Sequence, residues 1–175
     1  MKKKKAALST REIVVFAMLA TITFLSKLLM EWAPNIHFIA LFIIVFTLIY
    51  RKKALVPIYV FVLLTGVYGG FNVWWVPYLY IWLPLWALAL LIPRKTPPLL
   101  LTALAMLLGA LHGICYGILY APAQALMFGL SFKGMLAWIV AGFPFDAIHG
   151  ISNLCCGLLI VPLVRILRSS EKLIK

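Results

Sequence analysis

The feature that most constrains this sequence is a series of long apolar runs separated by short breaks that are polar or rich in glycine and proline. A helix needs roughly 20 mostly apolar residues to cross the hydrocarbon core of a bilayer. The runs approach that length and lack the alternating pattern of membrane-spanning strands. Because 65% of the residues are hydrophobic and 11% are charged, no room remains for a soluble domain. The sequence predicts an all-α integral membrane protein with one transmembrane domain, residues 1–175, and six transmembrane helices at about 12–31, 36–50, 54–70, 74–92, 98–120 and 144–166.

Basic residues are concentrated on one side of this predicted topology. Lys2 to Lys5, Lys172 and Lys175 lie near the termini, and most other basic residues fall close to the termini or in the turns after the second and fourth runs. Only Lys27 and Lys133 fall on the opposite side. Short cytoplasmic segments are enriched in lysine and arginine, so both termini are predicted to be cytoplasmic. The net charge of +12 then reflects topology and contact with anionic lipid headgroups, and no nucleic-acid partner is expected.

Local signals define the ends of the first and last spans. Ser9-Thr10-Arg11-Glu12 has the spacing of a helix capping box and predicts the start of the first helix. No small-residue cleavage site follows the first apolar run, so we interpret it as an uncleaved span. Residues 121–143 contain several glycines, and we predict a partly helical outer loop there, or an outward extension of the last span kinked near Pro144.

Three polar residues at the start of the last span are the sharpest candidates for a site. Asp146, His149 and Asn153 are spaced i, i+3, i+7 and share one helix face. Ionisable groups inside a bilayer are costly and usually face a cavity or a partner. These residues either contact a ligand or form a hydrogen-bonded clamp between helices.

The fifth span carries two stripes. His112 and Tyr116 are spaced i, i+4, and His112 is too deep in the span to be an interfacial residue. Beside them run Gly109, Gly113 and Gly117, a repeated Gly-x-x-x-Gly pattern. Small residues at that spacing let helices approach closely, so the glycine stripe is predicted to be a packing face.

Further polar and aromatic residues cluster on the predicted outer side. The aromatic ones form either an ordinary interfacial belt or a stacking surface for a flat ring. Lys27 and Glu31, spaced i, i+4, either pair with each other or present charge to a ligand. The remaining candidate ligand contacts are Lys27, Glu31, Asn35, His37, Trp74, Trp75 and Tyr78.

Motifs for enzymatic work are missing from the sequence. It contains neither a phosphate-binding Gly-x-x-x-x-Gly-Lys-Ser/Thr loop nor a His-Glu-x-x-His motif or a nucleophile elbow. We therefore predict a protein that is not an enzyme, with no cofactor and no metal site.

The segment from Gly142 to Asn153, with its Asp-x-x-His-x-x-x-Asn pattern, and the later Pro162-Leu163 pair resemble the last helix of substrate-binding (S) components of energy-coupling factor (ECF) transporters. The resemblance implies a prokaryotic cell-membrane protein that binds a vitamin-like micronutrient on its outer side. It also implies docking onto a transmembrane coupling subunit driven by two ATPase subunits. The implied docking face on the first helix is Ala17, Ala20 and Thr21. Nickel- and cobalt-type members carry a histidine next to the N-terminus, which Met1-Lys2-Lys3 lacks.

Other functions stay open at the level of sequence. The substrate could be a tetrapyrrole, a pteridine, a pyrimidine, a modified base or another vitamin. One alternative is a structural or assembly protein whose polar residues only hold helices together. A second alternative is an intramembrane enzyme that uses Asp146 and His149 as acid and base.

Overall fold

The computed structural model describes residues 8–173, with side chains up to residue 170. The described part is all-helical, without strands. The predicted inner charges at Lys2 to Lys5 and Lys175, and the side chain of Lys172, lie outside it. Eight helices follow each other along these residues: α1 Thr10–Leu29, α2 Ile39–Tyr50, α3 Leu55–Gly69, α4 Trp82–Leu90, α5 Pro98–Ile114, α6 Tyr116–Phe128, α7 Phe132–Cys156 and α8 Ile160–Leu173.

Helix ends follow local chemistry. Ser9 caps α1 by accepting a hydrogen bond from the Glu12 amide at 3.2 Å, and the Glu12 carboxylate accepts one from the Ser9 amide at 3.1 Å. This confirms the predicted capping box. Gly129, at a φ of 64°, ends α6 in the left-handed conformation that favours glycine. Ser131 then caps α7 through the Gly134 amide.

The helices differ in how much lipid-compatible surface they carry. Three helical stretches are long and apolar enough to cross a bilayer: Thr10–Leu29, Pro98–Phe128 and Phe132–Ser170. Many large apolar side chains on them are exposed, as expected for surfaces that meet lipid rather than water. These features indicate a membrane protein. Each of the six predicted spans contains helix, but α2, α3 and α4 are shorter, at 12, 15 and 9 residues.

Helix α2 lies at the centre of the bundle, because nine of its twelve residues are buried. A helix that is apolar all round is stable in such a position. It packs against α4 and α8, while α1 packs along α3 and α5 packs along α7. Arg51 holds the turn into α3. Its guanidinium donates to the carbonyl of Leu90, the last residue of α4, and to the carbonyl of Ile92, two residues later, at 3.1 Å.

Residues 121–143, predicted to be an outer loop or a helical extension, are mostly helical. They are helical except for a short break at residues 129–131, because α6 continues through Pro122 and α7 runs from Phe132 through Pro144. A proline in a membrane helix is tolerated where neighbouring groups satisfy the freed carbonyl. Residues 132–143 thus belong to the same helix as the start of the last predicted span, whereas residues 121–128 belong to α6.

Candidate functional site

Six rings from six separate segments form one cluster, which we call the histidine–aromatic cluster. Three of its side chains are buried and three are half-buried. One ring lies just before α2, one in the 3₁₀ turn before α4, and the others on α4, α5, α6 and α7. Each ring centroid lies within 6.5 Å of at least one other. The members are His37, Tyr78, Trp82, His112, Tyr116 and His149.

His149 is the hub of this cluster. Its ring centroid lies 4.6 Å from that of His37 and 4.8 Å from that of Tyr116, and 6.5 Å from that of His112. On the far side, Trp82 stacks on His112 with centroids 5.5 Å apart. The three histidines, which are far apart in sequence, are therefore neighbours in the fold.

A second layer of aromatic residues extends the cluster toward the surface. The Trp74 ring lies 5.6 Å from that of Tyr78. The Tyr120 hydroxyl donates to the Trp74 carbonyl at 2.8 Å, and its ring stacks on those of Tyr116 and Trp138. These contacts fix the segment before α4 against α6.

A charged cleft opens beside this layer, and Trp74 belongs to both. The cleft has a volume of about 270 Å³ and lies between the ends of α1 and α3. Lys27 and Glu31, predicted either to pair or to face a ligand, form an ion pair at 3.1 Å and line the cleft. Its other walls are Phe24, Thr65, Tyr68 and Gly69.

Asp146 and Asn153 connect α7 to neighbouring backbone. The Asp146 carboxylate accepts from the Gly117 amide at 3.1 Å, and the Asn153 amide donates to the Gly109 carbonyl at 3.1 Å. Both side chains are buried. They therefore hold helices together, as the clamp interpretation predicts, while His149 between them joins the cluster.

The glycine stripe is the surface on which α7 rests, which confirms its prediction as a packing face. A Cβ atom added to Gly113 would lie 2.7 Å from the Gly150 nitrogen and 2.8 Å from the Gly150 Cα. Gly109 and Gly117 similarly face Asn153 and Asp146. Close approach at these positions brings His112 and His149 into one cluster.

Several predicted residues lie apart from the cluster. Trp75 donates from its indole nitrogen to the Val62 carbonyl at 2.8 Å and packs on Phe71. Asn35 lies in the turn before α2 with a φ of 65°.

Trp82 is the one member of the histidine–aromatic cluster that the predicted site residues do not include. Its position in an aromatic run is also typical of an interfacial belt.

The predicted docking residues on α1 divide between two faces. Ala17 and Thr21 are exposed, whereas Ala20 is buried in the bundle. A larger apolar groove, of about 670 Å³, lies between α1, α2 and α8, and none of the predicted ligand contacts lines it.

Among the described residues, no group of three or more His, Cys, Asp or Glu side chains is arranged to hold a metal ion.

No protein-family model, curated protein or solved structure matches the chain.

Proposed function

We propose that this protein is the substrate-capture subunit of an ECF-type importer in a prokaryotic cell membrane. It binds a vitamin-like small molecule from the outer side. It delivers that molecule inward when docked on a transmembrane coupling subunit that two ATPase subunits drive. In this proposal the chain crosses the membrane six times and both termini are cytoplasmic.

The proposal rests on the cluster of six rings from six segments, in which His37, His112 and Tyr116 all lie within 6.5 Å of His149. Small-molecule sites combine apolar and aromatic walls with a few well-placed polar groups. A purely structural clamp needs only the bonds of Asp146 and Asn153 to neighbouring backbone. The three histidines exceed that requirement, and a buried polar group is costly unless it is hydrogen-bonded.

The distribution of charge supports the proposed orientation. Lys53 pairs with Glu12 at 2.5 Å, which brings the start of α1 to the turn between α2 and α3. Arg168 donates to the Arg94 carbonyl at 3.4 Å, which places α8 beside the turn before α5. The basic turns thus lie at one end of the bundle, as the positive-inside rule requires. Lys27 lies at the other end of α1, in the charged cleft.

The exposed surface of α1 supports docking to a partner within the membrane. Ala17 and Thr21 are one helical turn apart and both exposed, and the Thr21 hydroxyl is satisfied by the Ala17 carbonyl at 2.9 Å. Helices pack closely in lipid where small residues repeat at this spacing. Because Ala20 is buried, the proposed docking face consists of Ala17 and Thr21.

Co-purification tests the coupling part of the proposal. Tagged protein isolated gently from its native membranes is expected to bring a coupling subunit and two ATPase subunits with it. Thr21→Trp should abolish their recovery, because a large ring prevents close helix approach. Leu107→Trp, at an exposed site on α5, is the matched control and should leave recovery unchanged. Recovery of no ATPase, or equal recovery in both variants, would contradict the proposal.

The alternative of a structural or assembly protein is supported by the hydrogen bonds that join Asp146 and Asn153 of α7 to neighbouring backbone. It predicts that substitutions in the histidine–aromatic cluster change stability and leave small-molecule binding absent throughout. The enzymatic alternative has weaker support, because the Asp146 carboxylate is already bonded to the Gly117 amide.

A further inference from the structure

In and beside the histidine–aromatic cluster, five buried polar atoms have no hydrogen-bond partner within the described part of the chain. One is His37 Nδ1, whose side chain is half-buried, and the other four belong to more deeply buried side chains. These four are Trp82 Nε1, His112 Nδ1, His149 Nε2 and Asn153 Oδ1. Each of these side chains is at most 5% exposed. A buried donor or acceptor left unsatisfied destabilises the fold, so a concentration of them in one place requires an explanation.

The hydrogen-bonding character of three of these atoms follows from chemistry. His112 Nε2 lies 3.0 Å from the Ile81 carbonyl oxygen. A carbonyl only accepts, so Nε2 carries the hydrogen and Nδ1 of the neutral ring is an acceptor. Asn153 already donates from its nitrogen to the Gly109 carbonyl, which leaves Oδ1 as an acceptor. Trp82 Nε1 can only donate.

The charges near the cluster already have partners. Lys27 is paired with Glu31 at 3.1 Å. Asp146, one turn before His149, accepts from the Gly117 amide. No arginine or lysine belongs to the cluster itself. A carboxylate or phosphate placed among these rings would be a buried charge without a counter-ion, which is strongly unfavourable.

We propose, on the basis of the function proposed above, that the ligand places an uncharged planar heterocycle in this cluster and presents a lactam edge. A lactam joins a carbonyl acceptor to an adjacent N–H donor. Its carbonyl accepts from the Trp82 indole, its N–H donates to His112 Nδ1, and a second N–H of the same heterocycle donates to Asn153 Oδ1. The ring stacks among the aromatic side chains. Any charged part of the ligand stays outside, at the charged cleft.

Calorimetric titration of the full-length chain in lipid nanodiscs tests this assignment with rings that differ in charge. The probes are pterin against pterin-6-carboxylate, uracil against its 6-carboxylate, and nicotinamide against both nicotinate and 1-methylnicotinamide. We expect at least one neutral lactam, pterin or uracil, to bind, and its carboxylate to bind far more weakly. A charged ring that binds as well as its neutral counterpart, or a panel in which neither pterin nor uracil binds, overturns the inference.

A tryptophan-to-phenylalanine substitution tests the role of the Trp82 indole nitrogen. Trp82→Phe keeps an aromatic ring and removes the N–H, and we expect affinity for the bound neutral ring to fall roughly five- to tenfold. Trp86→Phe is the matched control, because that indole donates to the Arg51 carbonyl at 3.3 Å, outside the cluster. Equal affinities of the two variants would overturn the assignment of Trp82.

Different results would contradict the neutral-ring inference and the proposed capture function. An extracted compound that has no uncharged ring with a lactam edge, together with recovery of the ATPase subunits, overturns the neutral-ring inference and leaves the capture function standing. Failure to recover the ATPase subunits counts against the capture function, whichever ring binds.

Discussion

The contact between α5 and α7 gives the most demanding prediction, because the structure leaves no space at Gly113. In a Gly113→Ala variant the new Cβ would lie 2.7 Å from the Gly150 nitrogen and 2.8 Å from the His149 carbonyl carbon. These atoms belong to the backbone of α7 and cannot rotate away. Ordinary contact begins at 3.4 Å, so the two helices must separate locally by about 0.7 Å.

That separation has a cost in stability and in ligand binding. Overpacking by one methyl group typically costs about 1–3 kcal/mol. The gain in helix propensity on replacing glycine by alanine, about 0.5–1 kcal/mol, offsets only part of it. We therefore expect a net loss of roughly 1–2 kcal/mol, measured by reversible unfolding in mixed micelles. Ligand affinity should fall too, because His112 adjoins the substituted residue and His149 lies on the displaced helix.

Gly142→Ala is the matched control for this experiment. Gly142 is also helical, and an added Cβ there meets no atom within 4 Å. The same substitution should leave stability unchanged or raise it by about 0.5–1 kcal/mol. If Gly113→Ala were as stable as Gly142→Ala, the close approach of α5 and α7 would be wrong.

Three further substitutions have expected effects of different size. Asn153→Ala should lower unfolding free energy by about 0.5–1.5 kcal/mol, since the side-chain hydrogen bond to the Gly109 carbonyl is lost; an unchanged value would argue against the clamp. Arg51→Ala should cost about 1.5–3 kcal/mol, because two carbonyls near the end of α4 lose a charged donor; chemical unfolding measures this, and a neutral result would contradict the described turn. Lys53→Ala should cost at most about 1 kcal/mol, because its pair with Glu12 is exposed; a larger loss in the same assay would show that this pair is not a simple surface contact.

Some of the fold follows from local pattern alone. The capping box at Ser9 and Glu12 needs only four residues of sequence, and the structure has it. The glycine stripe of α5 likewise identifies a packing face from its spacing. Its partner residues on α7 lie 29 to 44 residues later in the chain, and no pattern within the stripe specifies which helix rests on it.

Other parts of the site depended on tertiary packing. The glycines in 121–143 and the prolines in and directly after it favour breaks. Pro122 and Pro144 nevertheless both lie inside helices, because a membrane helix can satisfy the freed groups through its neighbours. The shared face of Asp146, His149 and Asn153 was visible in sequence. Spacing could not show that the two outer residues bind backbone while the middle one joins the rings.

Trp82 shows the limit of reasoning from residue type. An interfacial belt and a ligand pocket both favour tryptophan, and sequence alone does not separate them. Stacking of Trp82 on His112, at a distance of 5.5 Å between ring centroids, assigns it to the cluster.

The central claim is that a small molecule is captured in the histidine–aromatic cluster. The most direct measurement is mass spectrometry of compounds released from the gently purified chain, compared between wild type, His149→Ala and Trp32→Ala. Trp32 is highly exposed and lies outside the cluster. We predict one compound at about one per chain, retained by Trp32→Ala and lost from folded His149→Ala. A wild-type chain that is folded yet carries no compound, or equal retention in both variants, would contradict the account.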